Sequence, residues 1–215
     1  MMGRIIRRVL IVYMVGAVVF SSLSFAQDGP TGQVKATVDK VLDILKNPAL
    51  KKPEAEAART KQLREVIFAR FDFSEMAKRC LGIHWRKRTA NERKEFVAVF
   101  SDLLELSYRR KIERYTDEQI IYAKEEVNGK FGVVNTQIVN QRENVDIPID
   151  YKVIRTDGEW KVYDVVIDGI SLVSNYRSQF NRIIQQSSYA DLVKKMRVKQ
   201  ETELEEEASS PGKRK

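Results

Sequence analysis

The chain is 215 residues long and carries 38 lysines and arginines against 30 aspartates and glutamates, a formal charge of +8, with a single histidine and a single cysteine. One thiol excludes an internal disulfide and one histidine excludes a histidine-rich metal centre, so the fold must be held by an apolar core. The basic excess interleaves with acids, as in Lys35, Asp39, Lys40, Asp43 and Lys46, which reads as a solvated surface; a dedicated anion-binding face is the alternative.

The first residues have the form of an export signal. Arg4, Arg7 and Arg8 precede an apolar stretch from Val9 to Phe20, and Ser24-Phe25-Ala26 sets small residues at the two positions a signal peptidase inspects, so cleavage is expected after Ala26. The stretch is about a dozen residues, short of the ~20 that span a bilayer. Cleavage removes three arginines and no acid, taking the charge from +8 to +5. One domain is expected over residues 27–199, and the acidic run from Glu201 with the basic end at Lys215 reads as a charged, disordered tail over 200–215.

Apolar residues recur at helical spacing from Thr31 to Asn47 in Val34, Val38, Val41, Leu42 and Leu45. A second helix follows Pro53, with Leu63, Val66, Ile67 and Phe71 on one side. Ser74 is placed to cap a short third helix through Met76, Ala77, Cys80 and Leu81, closed by Gly82 in the left-handed conformation. Thr89-Ala90-Asn91-Glu92 is a capping box. It opens a helix of about seven turns, whose apolar arc holds Phe96, Val97, Phe100, Leu103, Leu104, Tyr108, Ile112 and Tyr115.

The period changes near Thr116. Gln119 to Val127 and Lys130 to Gln141 flank Asn128-Gly129, the dipeptide that supplies two positive φ angles to a tight hairpin. Val145, Ile147, Ile149, Tyr151 and Val153 then alternate with polar residues as a half-buried strand, which Pro148 marks as an edge or as bulged. Thr156-Asp157-Gly158 turns the chain into a fourth strand from Trp160 to Ile167. After Gly169 the helical period returns in Leu172, Val173, Tyr176, Phe180, Ile183 and Ile184, and a last helix capped by Ser188 carries Tyr189, Leu192, Val193 and Met196. The order describes an α+β domain: a curved four-stranded antiparallel sheet covered by helices on one face.

Few residues offer covalent chemistry. His84 and Cys80 lack the further ligands of a zinc site, and His84 reads as a packed residue beside Trp85. Asp164 and Asp168 share one face of the last strand and read as solvent-facing, opposite Tyr163, Val165 and Ile167; an acid–base pair beside a tyrosine in a cavity is the alternative. There is no glycine-rich phosphate loop. The basic clusters Arg86-Lys87-Arg88 and Arg109-Arg110-Lys111 raise nucleic acid as a partner, and export argues against it. No catalytic residue and no metal ligand is assigned.

Two stretches resemble a known family. From Phe73 to Tyr115 the aromatic-Trp pair before the capped helix, the step from Arg93 to Phe96 and the Leu-x-x-Ser-Tyr ending at Tyr108 are similar to the MlaC family of periplasmic phospholipid-binding proteins, also described as toluene-tolerance or auxiliary ABC-transport components. From Trp160 to Phe180, Trp-x-x-Tyr-Asp followed by Asp168, Gly169 and Ser171 carries the same resemblance. It implies a fold related to the NTF2-like and cystatin-like group, with an apolar cavity between sheet and helices that shelters acyl tails. The lining positions it implies are Phe96, Phe100, Leu103, Leu104 and Tyr108 of the long helix, Tyr163, Val165 and Ile167 of the last strand, and Ile170, Leu172 and Val173 after it; Ile149 and Tyr151 join them from the alternation of the third strand. It further implies a periplasmic monomer, not an enzyme, with phospholipid as ligand and no cofactor. The implied partners are an inner-membrane MCE-domain ABC transporter and an outer-membrane lipoprotein complex, met in transient contacts. An isomerase or hydrolase on an NTF2-like cone, and a periplasmic adaptor with a filled core, remain the alternatives.

Overall fold

The computed structural model describes residues 29–114, 118–140 and 145–209; the expected export signal and Tyr115 lie outside them. Pro30 opens α1 (Pro30–Lys46), where its missing donor and fixed φ suit the first turn. The free N–H of Thr31 donates to Glu125 Oε2, 2.8 Å away on the sheet. A Cβ at Gly29 would lie 2.9 Å from Glu125 Oε1, so a larger residue there would displace this carboxylate. A 3₁₀ turn at Pro53–Ala55 leads into α2 (Glu56–Arg70).

The cap of α3 (Phe73–Leu81) is Asp72 and not Ser74. Asp72 Oδ1 accepts from Glu75 N at 2.8 Å, and the Asp72 N–H is itself fixed by the carbonyl of Val162. Gly82 ends the helix with φ 54 and ψ −120, positive as expected but outside the left-handed helical well. A 3₁₀ turn at Gly82–Lys87 then reaches α4 (Ala90–Glu113), whose capping box is complete: Glu92 N donates to Thr89 Oγ1 at 3.2 Å and Thr89 N to Glu92 Oε2 at 2.7 Å.

Five strands pair antiparallel in sequence order: β1 (Gln119–Asn128), β2 (Phe131–Asn140), β3 (Val145–Thr156), β4 (Glu159–Ile167) and β5 (Ile170–Ser171). The short β5 is one strand more than the sequence pattern shows. Asp168 (φ 49) and Gly169 (φ 76) fold the chain back so that Ile170 pairs with Ile167 and Ser171 with Val166. Asp157 (φ 52) and Gly158 (φ 85) make the β3–β4 turn in the same way. In the first hairpin Asn128 pairs with Phe131, so the loop is Gly129-Lys130, and only Gly129 has a positive φ; a loop led by glycine needs no second one.

Pro148 sits in an interior strand without a bulge. Ile149 faces Ile167, the last residue of β4, so Pro148 lies past the end of its neighbour, where its carbonyl accepts from Asp168 N and no ladder donor is missed. The register shifts fall instead at Tyr122/Lys124 and at Lys152/Val153, where they bend and twist the sheet.

Ser171 caps α5 (Leu172–Gln186) by accepting from Ser174 N at 3.0 Å, and Ser188 Oγ accepts from Asp191 N at the start of α6 (Tyr189–Ser209). The charged segment expected to be disordered from residue 200 is helical as far as Ser209. Its glutamates are good helix formers, and Gln200 Nε2 anchors it by donating to Val99 O at 2.7 Å. Residues 210–215 lie outside the described part.

The apolar residues form two cores. The helical core joins Met76, Cys80 and Leu81 of α3, Phe96, Phe100 and Leu103 of α4, Val173, Tyr176 and Phe180 of α5, and Leu192 and Met196 of α6. The sheet core joins Val34 of α1 to Val134, Val153, Trp160, Val162 and Val165. Phe71 packs against both. The single layer of helices over a sheet is thus divided: α1 lies on β1 and β2, whereas α4 packs chiefly on α3 and α6. Arg70 fastens the sheet side, donating to Thr37 Oγ1, Gln33 Oε1 and the carbonyl of Trp160.

Candidate functional site

The structure separates the expected lining residues into two groups. Val165 belongs to the sheet core, and Ile149, Tyr151, Ile167 and Leu172 pack against it. Tyr151 stands opposite Val165 and Ile149 opposite Ile167, so four of these five make two adjacent cross-strand pairs on one face. Phe96, Phe100, Leu103, Leu104 and Val173 belong to the helical core, with Tyr108 half-buried at its edge. There the rings are closely fitted. Phe96 and Phe100 stack at 6.0 Å, Phe180 meets both edge-on, and Tyr176 meets Phe100 at 5.6 Å.

Tyr163 and Ile170 fall outside the sheet group. At the Lys152/Val153 shift β4 carries one extra residue, so Val162 and Val165, three apart, face the same core. Tyr163 is thereby turned toward the helices, where it packs against the helical core. Its ring meets Phe131 edge-on at 6.0 Å, and the Arg79 guanidinium lies over it at 4.1 Å. Ile170 is 61% exposed.

Val134 and Thr136 belong to the sheet face and were missed. They pair with Tyr151 and Ile149 and are both buried. The alternation through Val134, Thr136 and Ile138 was the available signal. Thr136 brings a hydroxyl to this face, and donates it to the carbonyl of Ile149 at 2.8 Å, which leaves the wall effectively apolar.

The two aspartates do not share an environment. The same shift of register breaks the strict alternation that placed both in solvent. Asp164 is 4% exposed, and its oxygens accept from Ser171 Oγ at 2.7 Å and Val173 N at 3.1 Å, with Lys152 Nζ at 3.4 Å. Asp168 is exposed in the turn. The buried carboxylate therefore ties β4 to the start of α5, and its lone pairs are spent on that.

Tyr151 and Tyr176 offer no base at neutral pH. Burial pushes the Tyr151 phenol up to about 12, and burial, with smaller repulsion from Tyr108, does the same for Tyr176. Burial also pushes the Cys80 thiol up, and the thiol points at the carbonyl of Val173. His84 Nε2 lies 2.9 Å from Asn181 Oδ1, beside Trp85 in the 3₁₀ turn. Among the described residues no group of three or more His, Cys, Asp or Glu is set to hold a metal ion, and no helix is long and apolar enough to cross a membrane.

Hollows open on the surface of the described residues at two places away from the sheet face. One, of about 610 Å³, runs along α6 past Asp191, Lys194, Lys195 and Val198; the other, of about 300 Å³, lies between the Gly82–Lys87 turn and α5. None of the thirteen residues lines either. On the sheet face Val134 and Val153 are fully covered, while Ile149, Tyr151, Ile167 and Leu172 keep part of their surface open at its margin.

This arrangement has known counterparts. The chain is 22% identical over 192 residues to the intermembrane phospholipid transport system binding protein MlaC of Haemophilus influenzae, covering 87% of this chain and 89% of that protein. It is 24% identical over 185 residues to the toluene tolerance protein ttg2D of Pseudomonas putida, covering 85% and 84%. Its fold matches that of a phospholipid-binding protein from Ralstonia solanacearum, solved in complex with a phospholipid, with a TM-score of 0.72 at 24% identity over 80% of this chain and 97% of that one. The family model described as MlaC protein matches residues 35–198, so the chain belongs to the MlaC family.

Proposed function

We propose that this protein carries phospholipid through the periplasm as a monomer, sheltering acyl tails against the sheet and performing no covalent chemistry. The observation that carries the reading is the apolar wall of Ile149, Tyr151, Val165, Ile167 and Leu172, open at its margin and lying where the sheet core meets the helical core. Phe71, the Asp72 N–H on the carbonyl of Val162, the Asp164 contacts to Ser171 and Val173, and Tyr163 beneath Arg79 tie the two cores across that junction. Two cores that each keep their own internal contacts part more readily than a single packed one. Tails enter between them in this reading, with Tyr163 and the helical residues Phe96, Phe100, Leu103, Leu104, Tyr108 and Val173 forming the side that gives way, and Ile170 at the mouth.

The energetics suit a carrier. At ~0.8 kcal/mol per buried methylene, a chain of about sixteen carbons gains on the order of 12 kcal/mol on leaving water. Spontaneous loss is then slow, and release calls for contact with a receiver. The receivers proposed are an inner-membrane MCE-domain ABC transporter and an outer-membrane lipoprotein complex. The relatives named for intermembrane phospholipid transport and for phospholipid binding support the ligand class. The test is a transfer assay in which protein loaded with fluorescent phospholipid is mixed with each reconstituted complex. Transfer that requires the complex is expected, and equal release into buffer alone would overturn the proposal.

A further inference from the structure

The interleaving of acids and bases breaks on one face of the molecule. From Met76 to Asn91 the chain carries Lys78, Arg79, Arg86, Lys87 and Arg88 and no acid, and from Gly169 to Ala190 it carries Arg177 and Arg182 and no acid. The fold sets these segments side by side. α3 packs on α5, a Cβ on Gly82 would lie 3.0 Å from Arg177 Nε, and His84 meets Asn181. Of the carboxylates that border the face, Glu75 is engaged by Lys78 and Arg79, Glu92 by Arg88 and Asp191 by Ser188, while Asp168 is exposed in the turn before Gly169. Arg86, Lys87, Arg177 and Arg182 are exposed and have no ion-pair partner among the described residues.

Ile83 lies on the turn that carries Arg86 and Lys87 and shares a hollow with Arg177. At 70% exposure it is the most exposed large apolar side chain among the described residues, and it borders the hollow of about 300 Å³ shared with Leu81, Arg177 and Asn181. A buried aliphatic would stabilise the fold, whereas here the chain presents one to solvent on a short 3₁₀ turn.

We infer that this face docks on the anionic surface of a membrane leaflet. Ile83 is the apolar wedge that enters the headgroup layer, and Arg86, Lys87, Arg177 and Arg182 meet the lipid phosphates around it. The core of a specific protein interface is depleted of lysine and packed to the density of a protein interior. A lone aliphatic side chain among unpaired cations matches a fluid, negatively charged layer, which requires no complementary pocket. The surface is separate from the apolar wall and does not depend on the carrier reading.

Co-sedimentation with vesicles tests it, using full-length protein as purified from cells. The parent is expected to bind vesicles containing about a third phosphatidylglycerol and to leave neutral phosphatidylcholine vesicles unbound, with binding that weakens as salt is added. Arg86→Glu with Lys87→Glu should lower binding about tenfold or more, and Ile83→Ser should lower it as well. Lys124→Glu, on the edge strand β1, should leave it unchanged. Equal binding to both vesicle types would overturn the inference. So would parent-like binding by the folded charge-reversal variant, or capture by a polyglutamate peptide with no binding to anionic vesicles, which would assign the face to an acidic protein instead. Lipid extracted from the same samples reports on the carrier reading independently of every one of these outcomes.

Discussion

Replacing Asp164 by alanine should unfasten α5 from the sheet. The carboxylate is 4% exposed and serves three partners at once: the buried N–H of Val173, the hydroxyl of Ser171 and the ammonium of Lys152. Leaving the Val173 donor buried and unpaired costs about 1–3 kcal/mol. Ser171 caps α5 through the same oxygen that donates to Asp164, so freeing its hydroxyl weakens the cap, worth about 1 kcal/mol. The Lys152 contact adds little, since that side chain is 37% exposed and water screens it. Asp164→Ala is therefore expected to lower stability by about 3 kcal/mol, or roughly 6–12 °C in melting temperature for a domain of this size. Asp164→Asn keeps one acceptor and should lose about 1 kcal/mol. Urea denaturation of both variants, stripped of lipid, measures this. A loss below about 1 kcal/mol for the alanine variant would refute the anchoring role.

Leu172→Glu places a carboxylate against the apolar wall at a cost of several kcal/mol to an occupied site, so the folded variant should extract with little lipid; Ile170→Glu, at an already exposed position, should fold normally and lose less, and unchanged lipid in both would remove these residues from the site. Tyr151 and Tyr176 have folded values raised to about 12, above the unfolded tyrosine range, so their stabilisation is complete below about pH 10 and is lost as pH climbs toward 12. Phenolate absorbance followed with pH should show a late-titrating group of tyrosines that includes Tyr151 and Tyr176, and Tyr151→Phe should remove one member of it. Thr89→Ala breaks the reciprocal cap of α4 and should lower the urea-derived stability by about 1 kcal/mol, with lipid content unaltered.

Local chemistry made some elements legible from sequence. Thr89 and Glu92 satisfy each other's backbone within four residues, so the start of α4 required no knowledge of the rest of the chain. The Asp157-Gly158 turn and the alternating face of Ile149 and Tyr151 were read for the same reason. Features set by distant partners were not. Asp72 displaces Ser74 as the cap because its own backbone is held by Val162, some ninety residues on. One extra residue in β4 turned Tyr163 away from Val165 and allowed Asp164 to be buried, and alternation alone carries no trace of such a bulge. Helical periodicity marked Phe96 and Phe100 as inward-facing, yet it could not say that their neighbours are Phe180 and Tyr176 and not the sheet. Of the basic face only the cluster Arg86-Lys87-Arg88 was legible, because Arg177 and Arg182 lie some ninety residues on and only packing of α3 on α5 unites the two halves.

Native mass spectrometry of the protein taken from the periplasmic fraction tests the central claim most directly. The expected result is a chain beginning after Ala26 whose mass is increased by bound phospholipid, with the increase lost on organic extraction. A homogeneous lipid-free mass, unchanged after incubation with phospholipid vesicles, would contradict it.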